Sequence, residues 1–217
     1  MKTFLIALFL LTTLTITSCD EEDPPAKAQL RGVVNTADGQ PVADAAIHIR
    51  NYLVPGGFTE PPSSGSTGFE FTVTEEGHFL IELYRYGSNR PLTTLVDEIL
   101  QTGNHRITIA DSLLTNGTYR YTITGTSQQS ERYFLVNKPD SALLHTIPFE
   151  RTNQDGEFTI SIRNLALGEI FYDGKNSILI GDSLKILVQQ GDTFTAMDSL
   201  KLSRQEDTFI ELKSQQP

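Results

Sequence analysis

Short runs of alternating apolar and polar residues cover most of the chain beyond residue 26. Side chains of a strand point alternately to the two faces of a sheet, so a period of two predicts strands. The runs are rich in threonine, valine, isoleucine and aromatic residues and are separated by glycine, asparagine and aspartate, which predicts an all-β protein. The predicted strands are Leu30–Val34, Ala46–Arg50, Phe69–Val73, His78–Tyr84, His105–Ile109, Thr118–Thr124, Arg132–Val136, Glu157–Ile162, Ile178–Leu179, Ser183–Gln189 and Thr208–Leu212.

One segment departs from this alternation. Apolar residues that recur at intervals of three and four form one face of a helix. The segment lies between Pro91 and Gly103, and the sequence therefore allows a short helix there. The residues at helical spacing are Leu92, Leu95, Val96, Ile99 and Leu100.

The first eighteen residues predict a secretory signal. Lys2 precedes an apolar run, Phe4–Ile16, which is shorter than the roughly 20 residues of a membrane span but long enough for a signal peptide. The run ends in Ile16-Thr17-Ser18-Cys19, which resembles the lipobox of bacterial lipoproteins. That resemblance implies cleavage before Cys19, lipidation of its thiol and acylation of the new N-terminus. We expect a protein held on a membrane by this anchor without spanning it.

The cysteine count and the net charge narrow the choice of partners. Cys19 is the only cysteine, so the chain forms no internal disulfide, and lipidation accounts for the residue. The net charge of −10 includes one lysine of the signal, so it becomes −11 after cleavage. Nucleic acid and anionic lipid surfaces are therefore poor partners.

An acidic tether, 19–28, follows the signal. Its acidic run and two prolines, Asp20–Pro25, bury little apolar area and predict an extended spacer. Acidic residues after a lipidated cysteine resemble a signal for export to the cell surface in some Gram-negative bacteria. An aspartate next to the cysteine also resembles an inner-membrane retention signal. We expect a cell-envelope location and prefer the outer membrane.

Residues 30–49 resemble the start of the carboxypeptidase regulatory-like domain, a transthyretin-like β-sandwich. The first two strands of that family are joined by a turn with Asp-Gly and a proline, here Asp38-Gly39 and Pro41. Asp-Gly supplies the positive φ of a tight turn. The family's next strand, which contains Asp-Gly-x-Phe, normally follows soon afterwards. Here it comes about a hundred residues later, at 152–160.

The intervening residues resemble a different family, the Ig-like domain of flagellar hook-capping proteins and type IX secretion sorting domains. The resemblance rests on Phe79–Tyr84, Gly103–Ile107, Asp111, Asn116–Tyr121 and Arg132–Val136. We expect two small β-sandwich domains: a transthyretin-like one split between 29–54 and 141–217, and an inserted Ig-like one at 66–138. The alternative is tandem sandwiches with 141–217 independent.

Residues able to carry catalysis or bind a metal do not form a recognisable pattern. The four histidines, His48, His78, His105 and His145, are not paired with other ligand types at metal-site spacing. Asn153, Asp155 and Glu157 alternate as in a calcium loop but lack its twelfth-position glutamate. We therefore expect no cofactor, no metal and no enzymatic activity.

Aromatic residues in loops are the candidate ligand contacts. Sugars stack well on aromatic rings, so a glycan is the most concrete ligand and an envelope protein is the alternative. Tyr84 and Phe171 also fit this pattern, although the core of a sandwich suits them better. The candidate contacts are Tyr52, Phe58, Tyr86 and Tyr172.

An Asp-Ser-aliphatic tripeptide occurs four times and resembles an O-glycosylation site of exported proteins in some Gram-negative bacteria. Asp-Ser also starts turns through side-chain bonds to the backbone, which is the simpler interpretation. The serines are Ser112, Ser141, Ser183 and Ser199.

These patterns together favour a lipid-anchored envelope protein that acts as a non-catalytic structural, adhesive or ligand-binding module. The alternatives are an envelope hydrolase and an accessory subunit of an outer-membrane transporter.

Overall fold

The computed structural model describes residues 28–53, 67–172 and 177–214. This part of the chain is all-β: it has fourteen strands, two 3₁₀ turns (Asp111–Leu113 and Ile162–Leu165) and one α-helix, α1 (Asp140–Leu143). No helix in these ranges has the length and apolar character needed to cross a membrane. The strands are β1 (Gln29–Thr36), β2 (Ala46–Leu53), β3 (Thr67–Val73), β4 (Gly77–Arg85), β5 (Thr93–Leu100), β6 (Gly103–Ile109), β7 (Gly117–Thr124), β8 (Gln129–Val136), β9 (Glu150–Arg151), β10 (Glu157–Ser161), β11 (Ile170–Tyr172), β12 (Ser177–Gln190), β13 (Thr193–Lys201) and β14 (Thr208–Ser214).

Strands from both ends of the described chain share one core, and we call them the first module. One sheet has the order β10-β1-β14, with β1 antiparallel to β10 and parallel to β14. The other has the order β11-β12-β2-β9, and β13 also pairs with β12. Apolar residues of the two sheets meet in a single buried cluster that includes Leu30, Ile47, Phe158, Ile186 and Leu212.

The first hairpin of this module follows the turn chemistry of its sequence. Gly39 has a φ of 80°, which favours glycine, and Thr36 accepts a hydrogen bond from its N–H at 3.0 Å. Gly32 in β1 serves a different purpose: a Cβ there would lie 2.4 Å from the ring of Phe158. The sheet therefore needs glycine at this position to bury the Phe158 ring.

The second module consists of β3–β8. A two-stranded sheet, β3-β6, lies against a four-stranded sheet of order β5-β4-β7-β8. The alternating residues Phe79, Ile81 and Leu83 of β4 are buried between these sheets, as a period of two requires. Two neighbouring clusters fill the space, one around Phe79 and Ile81 and the other around Leu83 and Tyr119.

The helix considered at residues 91–103 is wrong, because the segment forms β5, antiparallel to β4. Val96 pairs with Ile81 and Thr94 with Glu82, so Leu95 is an extra residue in the ladder. This bulge turns two consecutive apolar side chains towards the core. The bulge interrupts the alternation, and the remaining spacing imitates that of a helix.

The other predicted strands are present, with two differences. Ile178–Leu179 and Ser183–Gln189 belong to one strand, β12, whose pairing with β2 is irregular between Ile180 and Leu184. Three further strands, β9, β11 and β13, were not predicted. β9 and β11 are the edge strands of the β11-β12-β2-β9 sheet, and β13 pairs with β12 outside that order. Strands at an edge need fewer inward-facing apolar residues than central strands.

Candidate functional site

The two modules meet along a strip that we call the seam. It is formed by residues 85–92, Arg120 and Tyr133 of the second module and by residues 148–171 and Arg204 of the first. Gly87 lies where the backbones of the two modules approach each other closely. Its φ is 70°, and a Cβ there would lie 2.9 Å from the carbonyl oxygen of Arg163. Both the backbone conformation and the close approach therefore require glycine at this position.

Arg85 extends from the end of β4 into the first module. Its Nη2 donates a hydrogen bond to the carbonyl oxygen of Pro148 at 2.7 Å. Its guanidinium lies over the ring of Phe149, with Cζ 4.3 Å from the ring centroid. Its Nη1 is buried and has no hydrogen-bond partner among the residues that the structure describes. Burial lowers the pKa of Arg85, as expected of a cation withdrawn from water.

Three aromatic rings from three strands or their ends gather beside this contact. Tyr86 directly follows β4, Tyr133 lies on β8 and Phe171 lies on β11. Their ring centroids are 5.9 Å apart for Tyr86 and Tyr133, 5.7 Å for Tyr86 and Phe171, and 6.1 Å for Tyr133 and Phe171. Tyr133 is 46% exposed and the other two are half-buried. We call these residues the aromatic triad; its rings span both modules and reach solvent.

The two tyrosine hydroxyls of the triad stay protonated at neutral pH. Partial burial and a hydrogen bond that Tyr133 donates to the carboxylate of Glu131 raise the pKa of Tyr133 to about 12. Burial also raises the pKa of Tyr86. The triad therefore presents neutral rings with polar edges, the kind of surface that an amphipathic ligand can contact on both its apolar and its hydroxyl-bearing sides.

Three cavities lie along the seam and share lining residues. The largest, about 420 Å³, is lined by Arg85, Ser88, Arg90 and Phe149 among others. Ser88 also lines a cavity of about 110 Å³ beside Tyr86 and Tyr133. Tyr86 and Arg163 connect that one to a third, of about 190 Å³. The seam is therefore a chain of adjoining depressions rather than one deep pocket.

The cations of the seam differ in how they are paired. Arg204 contacts Glu169 at 2.7 Å. Arg120 contacts Glu131 at 2.9 Å and lies over the ring of Tyr84. Three other seam arginines have no carboxylate within salt-bridge distance among the described residues; they are Arg85, Arg90 and Arg163.

The structure brings some of the predicted contact residues together. Tyr86 is in the triad, and so is Phe171, which also packs on the core of the first module as its pattern suggested. Tyr172 follows Phe171 on β11, and Tyr52 lies on β2; the side chains of both fall outside the described part, as does all of Phe58.

Most residues of the seam were not among the sequence candidates, and Tyr133 and Arg163 show why. Tyr133 was hidden inside the predicted strand Arg132–Val136, where alternation alone does not say which face is exposed. Arg163 lies in a 3₁₀ turn with no motif around it. Tyr84 lies apart from the triad, and its hydroxyl donates to Glu82 at 2.8 Å.

The four Asp-Ser serines lie on different elements. Ser112, Ser141 and Ser199 are exposed, whereas Ser183 is half-buried on β12. The carboxylate of Asp198 accepts a hydrogen bond from the N–H of Ser199 at 2.7 Å, which fits the local backbone bonding expected of Asp-Ser. Cys19 and the acidic tether lie outside the described residues.

Polar residues that could suggest a metal have structural partners instead. The side-chain oxygen of Asn153 accepts hydrogen bonds from the N–H groups of Asp155 and Glu157, both at 2.9 Å, and so holds the turn before β10. His78 pairs with Asp97 at 3.0 Å. Within the ranges the structure describes, no three His, Cys, Asp or Glu side chains group as metal ligands would.

Comparison of the chain with protein-family models, curated proteins and solved structures gave no match to any of them. The resemblances to the regulatory-like and Ig-like families therefore stay predictions.

Proposed function

We propose that the protein is a lipid-anchored module of the cell envelope that binds carbohydrate without catalysis, and that the seam is its binding site. The observation that carries this proposal is the aromatic triad. Tyr86, Tyr133 and Phe171 come from both modules and leave ring surface in contact with water. Sugar rings have apolar C–H faces that stack on such rings, while their hydroxyls hydrogen-bond to groups at the rim.

Polar groups of the kind that a sugar needs surround the triad. The cavity beside Tyr86 and Tyr133 is lined by Ser88, Asn89 and Arg120. These groups donate and accept hydrogen bonds, whereas the rings supply contact area. A shallow chain of depressions suits part of an extended oligosaccharide better than a small enclosed ligand.

We propose that the two modules are a transthyretin-like and an Ig-like β-sandwich. Support for the split of the first comes from β1, which pairs with β10 and β14, and from β2, which pairs with β9 and β12. Support for the second comes from β3–β8, which pair only with one another in the described part of the chain. The boundaries 29–54, 66–138 and 141–217 follow the same division.

The envelope location rests on the sequence around Cys19. Mass spectrometry of the protein from its native membrane tests the anchor: we expect a diacylglycerol-modified cysteine at the N-terminus and loss of membrane association in Cys19→Ala. Protease treatment of intact cells, beside a periplasmic control, then tests surface exposure. An unmodified cysteine, or membrane association that survives Cys19→Ala, would overturn the anchor.

Binding is tested with the full chain in detergent on an oligosaccharide array, followed by calorimetry of the oligosaccharides it retains. Loss of a stacked ring costs about 1 kcal/mol, so we expect Tyr133→Ala to weaken binding roughly fivefold. Phe209→Ala is the matched control, because Phe209 is 69% exposed on β14 and lies outside the seam cavities. Equal binding by wild type and Tyr133→Ala would exclude the triad as the binding surface.

A further inference from the structure

We propose that the carbohydrate bound at the seam is acidic, with sugar carboxylates held by arginines that have no carboxylate partner in the protein. This inference rests on the proposed function and specifies its ligand class. The charge that lines the seam cavities is opposite in sign to the net charge of the chain. The chain has a net charge of −10, yet five of its ten arginines line the three seam cavities.

Carboxylates of the protein are scarce in the same cavities. Glu150 and Glu169 are the acidic residues that line them, and Glu169 is already paired with Arg204 at 2.7 Å. The seam is therefore a cationic strip on an anionic protein. A strip of this kind attracts a negatively charged ligand locally while the rest of the surface repels it.

The pairing of arginines separates the seam from the remaining surface. Of the ten arginines, six contact a carboxylate in the part of the chain that the structure describes: Arg31, Arg50, Arg106, Arg120, Arg151 and Arg204. Three of the other four, Arg85, Arg90 and Arg163, line the seam, and only Arg132 lies elsewhere. Unpaired guanidinium groups are thus concentrated where the ligand is proposed to bind.

Arg85 places a fixed positive charge in the wall of the largest cavity. The hydrogen bond from its Nη2 to Pro148 and the contact with the Phe149 ring hold the guanidinium in place. Its Nη1 is enclosed by the protein and has no hydrogen-bond partner among the described residues, so no internal carboxylate neutralises this charge at contact distance. The charge therefore attracts an anion that enters the cavity.

The walls of the largest cavity favour an organic acid over an inorganic anion. Pro91, Leu92 and Phe149 supply apolar surface on which a sugar ring can lie. Hydroxyl and amide side chains complete the lining and can bond to ring hydroxyls; they are Ser88, Thr159, Ser161 and Asn164. A uronic acid, which joins a carboxylate to a hydroxyl-bearing ring, matches all three kinds of group.

Ser88 connects this cavity to the one beside the triad, so one oligosaccharide can use both. In this arrangement a carboxylate binds near Arg85 and Arg90, and a neighbouring sugar stacks on Tyr86 or Tyr133. The arrangement predicts that charge and stacking contribute to the same binding event.

The test is calorimetry of the full chain in detergent with oligomers of galacturonate, of mannuronate and of hyaluronan. Each oligomer is titrated beside its methyl ester, which keeps the ring and removes the charge. We expect at least one acid form to bind tenfold or more tightly than its ester, with an affinity that falls as salt rises. Arg90→Gln and Arg163→Gln should each weaken acid binding about threefold and weaken ester binding by a smaller factor, because only the acid loses a charge contact. Arg132→Gln, the same charge change outside the seam, should alter neither.

The outcomes separate this inference from the proposed function. Equal binding of acid and ester, both weakened by Tyr133→Ala, overturns the acidic ligand and leaves carbohydrate binding intact. Acid binding that Tyr133→Ala does not change supports the arginine site and overturns the aromatic surface. Tighter binding of sulfated than of carboxylated oligomers overturns the carboxylate assignment. If no acid oligomer binds more tightly than its methyl ester, the inference is overturned, whatever the oligosaccharide array shows for neutral sugars.

Discussion

Two polar side chains, His48 and Arg85, reach from one module into the other, and they differ in how completely they are bonded. His48 on β2 contacts Thr115 of the second module through Nδ1 at 3.1 Å and Gln189 of β12 through Nε2 at 2.9 Å. Arg85, at the other contact, uses Nη2 but leaves Nη1 without a partner. The protein thus completes one of these contacts and leaves the other open.

The hydrogen-bond partners of His48 define which of its ring nitrogens carries the proton. The amide nitrogen of Gln189 donates to the carbonyl oxygens of Leu144 and Gly191, so its oxygen faces His48 and must accept. Nε2 therefore carries the proton and Nδ1 accepts from the hydroxyl of Thr115. At His48 every polar group is matched, so this contact joins the modules, whereas the contact at Arg85 leaves one donor without a partner among the described residues. We therefore expect a substitution of His48 to lower mainly stability and a substitution of Arg85 to weaken mainly the proposed ligand binding.

The largest effect is expected for His48→Ala. The substitution leaves a cavity in a fully buried position and removes the partners of Thr115 and Gln189, so we expect the free energy of unfolding to fall by about 3 kcal/mol. Urea unfolding measures it, with His78→Ala as control because the His78 side chain is 62% exposed. A loss as small as that of the control would mean that His48 does not join the modules.

Gly87→Ala should have the next largest effect, because it opens the seam. The new Cβ would clash with the backbone of Arg163 and adopt an unfavourable φ, which together should cost about 2 kcal/mol and weaken ligand binding. Gly39→Ala is the matched control: its φ is 80°, but nothing lies within 4 Å of the added Cβ. The difference between the two variants in urea unfolding isolates the clash. Equal losses would show that the close approach at the seam contributes nothing.

Arg85→Met should have a smaller effect on stability, because it removes an unmatched group and keeps apolar contact with Phe149. We expect a loss of about 1 kcal/mol from the bond to Pro148, but a much larger loss of binding to acidic oligosaccharides. Paired urea unfolding and calorimetry separate the two quantities. A loss of stability as large as that of His48→Ala, with binding preserved, would reverse the comparison between the two contacts.

The sequence predicted local features better than contacts between distant residues. The hairpin turn at Asp38-Gly39 and strands such as β1, β4 and β7 depend on positive φ and on a period of two, which neighbouring residues reveal. β5 was misread because a bulge at Leu95 depends on the ladder with β4, which no local pattern encodes. The same limit applies to β9, whose two residues are a strand only because β2 lies beside them.

The residues of the seam could not be identified from the sequence for the same reason, because they come together only in the folded protein. Tyr86 could be named as a loop aromatic, but its neighbours in the triad lie about 50 and 85 positions away along the chain. Nothing near Arg163 distinguishes it from a paired surface arginine. Its significance depends on the absence of a nearby carboxylate among the described residues, which only folded geometry shows. The strongly acidic composition argued against nucleic acid and anionic lipid surfaces as partners, and it gave no indication of a local group of arginines.

The smallest expected effect is a dependence of stability on pH through His48. Burial, opposed by the hydrogen bond to Gln189 and reinforced by the charges of Arg151 and Arg85, lowers the pKa of His48 below its usual value near 6.5. The unfolded chain then binds a proton more readily than the folded one as pH falls below about 6.5, so the stability present above that pH is progressively lost. Protonated Nδ1 can no longer accept from Thr115, which is the structural side of the same loss. We expect urea unfolding at pH 5 to show lower stability than at pH 7.5, and His48→Gln, which lacks the titrating group, to show a smaller difference. An equal difference in the two proteins would assign the pH dependence to other groups and leave the His48 contact without a role in it.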